Sequence, residues 1–276
     1  MKANKSTIFY ILLVVLVFVA PMRSIWRSTA LVALLLYPLA LSRLKLWTYR
    51  LARGGSYDKA LRFDHILGFM PFYGDSLEGS ILFNAGKYAE ARTFLKPLAF
   101  DKQGEPRLTS TSLYLYTLAL TNDDRAEDAL PLLEAAARVP ASSNSMRVAL
   151  AGCLLTLGKD PYRACALLED VLARDPVPAY EKNADQARRL ARYAWALAAC
   201  GRRDEAEAQL KDAFAGSFSL TKSDQAGIKY FAGQAWRVMG EKEKSRTAFN
   251  EAIAFAPDGS TAMSARKGLA KLEGVA

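Results

Sequence analysis

The sequence predicts an all-α fold, an α-solenoid of stacked antiparallel helix pairs that follows an N-terminal transmembrane helical hairpin. Three observations support this prediction. Two uncharged apolar runs open the chain, and beyond them helical stretches repeatedly end in a short turn, usually with Gly. A small residue follows each turn at intervals near the ~34 residues of a helix-pair repeat.

The two apolar runs cover residues 7–22 and 28–42 and contain no charged side chain. Each is shorter than the about 17–25 apolar residues that a membrane-spanning helix needs. Each can still span the bilayer if Arg23 and Arg27 extend to the headgroups and Trp26 lies at the interface. The pattern therefore predicts two helices joined by a basic loop.

A cleaved secretory signal is the alternative for this segment. Lys2 and Lys5 give it the basic start that such signals share. The region around Ala20 lacks an A-x-A cleavage pattern, however, and Pro21 follows at once. A second apolar run comes directly afterwards, so we predict an uncleaved membrane anchor over residues 1–43.

Positive charge is concentrated around these runs. The chain has 37 Lys and Arg against 28 Asp and Glu, and residues 1–57 hold eight of the basic residues but none of the acidic ones. The rest is close to neutral, which argues against a nucleic-acid-binding domain. Both ends of the hairpin together are more basic than its loop, which predicts an inner (cytoplasmic) membrane protein with repeats facing the cytoplasm. A single span would reverse that orientation.

Metal-ligating residues are scarce. The chain has one histidine, His65, and three cysteines without a CxxC pair, Cys153, Cys165 and Cys200. We expect no metal site, no disulfide framework and small buried cysteine side chains. A redox pair between Cys153 and Cys165 is an alternative. Asp64 precedes His65, but no nucleophile accompanies them, so a structural histidine on a helix face is the expectation.

Motifs for catalysis are also missing. The sequence contains no GxxxxGK[ST], GxSxG or HExxH segment. We therefore expect neither an enzyme nor a bound cofactor.

Six segments carry the repeated turn and small residue. They cover residues 54–61, 85–92, 122–130, 158–165, 201–208 and 240–249. Their small residues are Ala60, Ala91, Ala129, Ala164, Ala206 and Ser245. Such residues allow two helices to approach closely, and a large apolar residue four positions later fills the groove between them. Those larger residues are Leu95, Leu133, Leu168, Leu210 and Phe249. The face is completed three positions further on by Leu98, Ala136, Val171, Ala213 and Ala252.

This pattern resembles the tetratricopeptide-repeat (TPR) family, of a membrane-anchored bacterial type. Residues 226–259, for example, carry it through Gly233, Trp236, Gly240, Ser245, Phe249, Ala252 and Pro257. The resemblance covers residues 44–259 as about six repeats. An ordinary helical bundle is the alternative, but a bundle has no reason to repeat turn and contact in phase. Residues 260–276 are predicted to form a capping helix and tail, with Arg266, Lys267 and Lys271 on its solvated face.

The resemblance also implies a concave groove lined by the first helix of each pair. The residues it places there are Tyr73, Phe83, Tyr114, Arg188, Arg192, Trp195, Tyr230, Gln234 and Arg237. TPR members that grip a peptide C-terminus have basic residues where this chain has Arg188 and Arg192, which share one helix face. Their remaining ligands are replaced here by Tyr114, Leu118 and Ala149, so that clamp is incomplete.

The predicted function is a membrane-tethered protein–protein interaction scaffold. A peptide or helix of a partner protein would bind in the groove. Two alternatives stay open at this point, a self-associating structural scaffold at the membrane and a regulatory subunit of a membrane complex.

Overall fold

The computed structural model describes residues 40–52, 54–68, 77–139, 143–174, 184–215, 217 and 220–274. Regular structure in these ranges is helical, apart from one isolated bridge between Phe100 and Pro106. The all-α prediction is therefore confirmed for this part of the chain.

The predicted membrane helices fall largely outside these ranges. The run at 7–22 and all of 28–42 except its last three residues lie outside the described residues. No helix within the described ranges has the length and apolar character needed to cross a bilayer. The anchor over residues 1–43 stays a prediction, and its boundary falls inside the described helix at 40–52.

The chain divides into two compact units, Met1–Ile81 and Leu82–Ala276. In the first unit, helix α1 covers residues 40–52, α2 covers Tyr57–Gly68, and α3 (Glu78–Asn84) begins before the boundary. Its buried apolar residues form two clusters, one of Ala52, Ala60 and Ile81 and one of Leu41 and Leu67.

One polar residue is buried in this first unit. Asp64, at a repeat position that is normally apolar, is only 1% exposed. Its carboxylate accepts a hydrogen bond from the backbone N–H of Leu77 at 3.1 Å. The burial is tolerated because the carboxylate has a hydrogen-bond donor.

The second unit consists of successive helix pairs. Its helices after α3 are α4 (Tyr88–Ala99), α5 (Thr111–Asn122), α6 (Ala126–Arg138), α7 (Asn144–Leu157), α8 (Pro161–Arg174), α9 (Ala184–Ala199), α10 (Arg203–Phe214), α11 (Lys222–Val238), α12 (Lys242–Phe255) and α13 (Ser260–Glu273). From α4 on, each packs against its neighbours in the chain. In addition, α5 contacts α7, α7 contacts α9, α9 contacts α11, and α11 contacts α13. We call these five helices the first-helix layer.

The turns between paired helices contain a residue in the left-handed backbone region. Five of the six predicted turns use Gly there, at positions 55, 86, 158, 201 and 240. The sixth uses Asp124, with φ of 56°. Asp is among the few residues with a side chain that visit this region. The predicted role of Gly in these turns is confirmed.

Gly201→Ala should lower the free energy of unfolding by about 1–2 kcal/mol. Gly201 has φ of +77°, and an added Cβ would meet no atom within 4 Å, so the effect isolates the backbone conformation. Urea denaturation measures it. The matched control is Gly152→Ala inside α7, where the nearest atom to an added Cβ lies at 3.6 Å. This control should be at least as stable as the parent, because Ala is energetically more favourable than Gly in the interior of a helix. Equal losses in both variants would contradict the assigned role.

The contacts inside the pairs follow the predicted pattern. All six small residues after the turns are 0% exposed, and the large residues four positions later are at most 3% exposed. Leu98, which was predicted to complete this face three positions further on, does not follow the pattern. It is 39% exposed, whereas the next residue, Ala99, is fully buried. The prediction at Leu98 was wrong because α4 ends here and the chain turns into the bridge at Phe100, leaving Ala99 in the apolar cluster.

Helix α13 packs against the last pair, as predicted for a capping helix. Phe249 of α12 is fully buried in a cluster with Ala252 and Ala265. Two glycines make room for its ring, since an added Cβ on Gly233 or on Gly268 would lie 2.6 Å from ring atoms.

Helix α13 also contacts the beginning of the second unit. The Ser264 hydroxyl lies 3.1 Å from Oδ1 of Asn122. The Lys267 ammonium donates to the Asn122 carbonyl at 3.0 Å and to the Asp124 carboxylate at 2.6 Å. The Tyr88 hydroxyl donates to the Ser260 carbonyl at 3.2 Å. The Lys267 side chain is 39% exposed, in keeping with a solvated face, and its charge also has partners at the end of α5.

Candidate partner-binding site

The first-helix layer encloses a cleft of about 70 Å³ in the second unit. All five helices of the layer contribute to its lining, and so does the turn after α5. The lining residues are Thr121, Asn122, Asp124, Leu155, Thr156, Trp195, Tyr230, Gln234, Arg237, Ser264, Lys267, Gly268 and Lys271.

A chain of hydrogen bonds fixes the α11 side of this cleft. The Gln234 amide donates to the Tyr230 hydroxyl at 3.2 Å and accepts from Nε–H of Arg237 at 3.1 Å. Burial raises the pKa of the Tyr230 phenol, so this hydroxyl stays neutral. These residues lie at i, i+4 and i+7, a spacing that places them on one helix face.

Three cations lie at the edge of the cleft. Lys267 is paired with Asp124 at 2.6 Å. Within the described ranges, Arg237 and Lys271 have no carboxylate within 4 Å. The cleft is therefore locally positive, although the repeat region is close to neutral overall.

Arg188 and Arg192 lie elsewhere on the same layer. Arg188 is 3.3 Å from Asp224, whose carboxylate is buried at the start of α11. The guanidinium of Arg192 lies 4.3 Å from the centre of the Phe231 ring, a cation–π distance. Part of Arg192 is accessible to solvent, yet protein atoms surround its charged end, and this burial lowers the pKa of the guanidinium.

The predicted groove residues separate into groups. Trp195, Tyr230, Gln234 and Arg237 line the cleft, where Trp195 and Gln234 are 4% and 7% exposed. Arg188, Arg192 and Tyr114 interact electrostatically outside the cleft lining, and burial raises the pKa of Tyr114.

The two remaining predicted groove residues are not in either group. The Phe83 ring centre is 5.8 Å from that of Tyr88. Tyr73 lies outside the described residues.

Several cleft residues were not predicted. Thr121 and Asn122 end α5, Thr156 lies near the end of α7, and Lys267 and Lys271 come from α13. Their position depends on α13 reaching α5, which no local sequence pattern indicated. The i, i+4 spacing of Lys267 and Lys271 was a usable signal for a shared face.

The cysteines are free thiols. Cys153 and Cys165 are buried as predicted, whereas Cys200 is only partly so. Burial is the main cause that raises the pKa of the Cys153 and Cys165 thiols to about 11, so both stay protonated near neutral pH. The neighbour of Cys165 is Cys200 rather than the Cys153 of the suggested redox pair.

His65 belongs to the first unit and has a structural partner. Its Nε2 lies 3.2 Å from the Glu78 carboxylate, and its side chain is 60% exposed. Within the described residues, no group of three or more His, Cys, Asp or Glu has the geometry to hold a metal ion.

No protein-family model and no curated protein sequence matches this chain. Similar solved structures include a Podosopora anserina chain described as a kinesin light chain with nearly identical TPR-like repeats and a single-substitution variant of it. Both are 15% identical and cover 79% of this chain and 95% of their own. Their TM-scores are 0.38 and 0.36. The fold described above rests on the helix contacts of this chain.

Proposed function

We propose that this protein is a membrane-tethered interaction scaffold, and not an enzyme, whose first-helix layer binds a peptide or helix of a partner protein. The observation that carries the proposal is the cleft on this layer, where aromatic and cationic side chains converge. Aromatic residues and Arg dominate the binding energy of many protein interfaces.

The order of the layer supports this function. Core contacts of the helix pairs hold the backbones of α7, α9 and α11, since their small and large apolar residues are buried. Side chains on such a surface lose little conformational entropy on binding, which favours affinity. The hydrogen bonds from Tyr230 through Gln234 to Arg237 add to this order.

The proposed tether is the pair of apolar runs at 7–22 and 28–42. Their basic flanks favour an inner-membrane hairpin with the repeats on the cytoplasmic side. Attachment at a membrane would raise the local concentration of a partner that resides in the same membrane.

Site-specific photo-crosslinking of the full-length protein in its native membrane tests this function. A photoreactive residue replaces Thr156, which is exposed and lines the cleft, and in a matched variant replaces Tyr162, which is 71% exposed on α8. We expect a partner adduct at position 156 that is at least fivefold stronger than at 162.

Equal labelling at the two positions, or no adduct at 156, would contradict the groove assignment. An adduct with the mass of two copies of this chain would instead support self-association.

A further inference from the structure

We propose that the cleft between α13 and the rest of the first-helix layer binds a carboxylate presented by the partner, held between Arg237 and Lys271. This inference rests on the proposed function and names the chemical group that the partner must supply. The cleft combines these two cations with the neutral polar groups of Thr121, Thr156 and Gln234.

The size of the cleft suits a small group. Its volume of about 70 Å³ is suited to the end of an Asp or Glu side chain or to a chain terminus. The cleft is therefore an anchor point, and the rest of the partner lies on the surrounding layer.

The charges indicate an anion. Lys267 is neutralised by Asp124 and also donates to the Asn122 carbonyl. Arg237 uses its Nε–H on Gln234, which fixes the guanidinium plane and leaves its two terminal nitrogens without a carboxylate in the described part of the chain. An oriented guanidinium binds both oxygens of a carboxylate, and a nearby ammonium adds charge.

A carboxylate fits this donor set better than a phosphate group. Phosphate sites usually include the backbone N–H groups of a helix N-terminus. The α7, α9 and α11 residues of this cleft come from the second half of their helices, as shown by Thr156, Trp195 and Arg237. The negative ends of those helix dipoles oppose a doubly charged phosphate more strongly than a singly charged carboxylate, whose charge Arg237 and Lys271 can offset.

The cleft is distinct from the arginine pair that the sequence suggested. Arg188 is paired with Asp224 at 3.3 Å, and Arg192 lies over the Phe231 ring. Neither residue lines the cleft. Of the two cations of this site, Arg237 belongs to α11 and Lys271 to α13, so the site exists only while α13 packs against α11.

Titration of the purified full-length protein in detergent with glutarate, a small dicarboxylate, tests the site at constant ionic strength. Trp195 lines the cleft, so its fluorescence reports occupancy, and the signal should vanish in Trp195→Phe. We expect at least tenfold weaker binding in both Arg237→Gln and Lys271→Gln. The matched control is Arg266→Gln, since Arg266 is exposed on α13, bonds to the Pro257 carbonyl and should leave binding unchanged.

Three results would overturn the carboxylate site: no glutarate signal, equal affinity for the neutral analogue glutaramide, or equal affinity for inorganic phosphate. Unchanged circular dichroism and melting temperature establish that the variants fold. The adduct at position 156 distinguishes the two proposals. Glutarate binding without an adduct refutes the partner groove alone, and an adduct that persists in Arg237→Gln and Lys271→Gln refutes the carboxylate anchor alone.

Discussion

Phe249→Ala is expected to lower the free energy of unfolding by about 3–5 kcal/mol, the usual range for removal of a buried aromatic ring. Phe249 is 0% exposed and packs with Ala252 and Ala265. Its ring packs directly against Gly233 and Gly268. Because these residues have no side chain that could move into the space left by the ring, the substitution leaves a cavity.

Chemical denaturation followed by circular dichroism measures the Phe249 effect. Tyr162→Ala is the matched control, because it also removes an aromatic ring from the second helix of a pair, but from a side chain that is 71% exposed. We expect this control to change stability by less than about 0.5 kcal/mol. A loss below about 1 kcal/mol at Phe249 would show that α12 is not held between α11 and α13 as described.

Ala164→Leu is expected to lower the free energy of unfolding by about 3 kcal/mol, near the upper end of the range for overpacking. Ala164 follows the turn at Gly158 and is 0% exposed within the main apolar cluster. Three additional carbon atoms there require α8 to move away from its neighbours, because the interior is close-packed.

The same substitution two positions later provides the control. Ala166 lies on α8 but is exposed, so Ala166→Leu adds equal volume without entering the core. Urea denaturation should show this variant within about 0.5 kcal/mol of the parent. Similar stabilities for the two Leu variants would refute the close helix approach on which the repeat interpretation depends.

Local contacts of the fold could be predicted from the sequence because each repeat encodes them within a few tens of residues. A turn glycine such as Gly201 and a small residue such as Ala206 belong to the same local unit, so their periodicity is visible in one dimension. The exceptions are equally local. Asp124 replaces Gly in a left-handed turn, and Leu98 is exposed because α4 stops at Ala99.

The cleft could be predicted only in part. Tyr230, Gln234 and Arg237 followed from the helix face expected of a repeat. Asn122 and Lys267 did not, because their contact joins residues 145 positions apart and no periodic pattern records such a pairing. Trp195 and Gln234 line the cleft, but their low exposure depends on how tightly neighbouring helices pack.

The contacts of α13 with Asn122, Asp124 and Tyr88 have a consequence for folding. In an open repeat array each unit touches only its neighbours, so the ends can fray while the middle stays folded. Here the last helix bonds to residues more than 140 positions earlier, and its loss would remove support from both ends of the unit. Such long-range closure favours all-or-none unfolding, and it slows folding because a large loop must close before the contacts form.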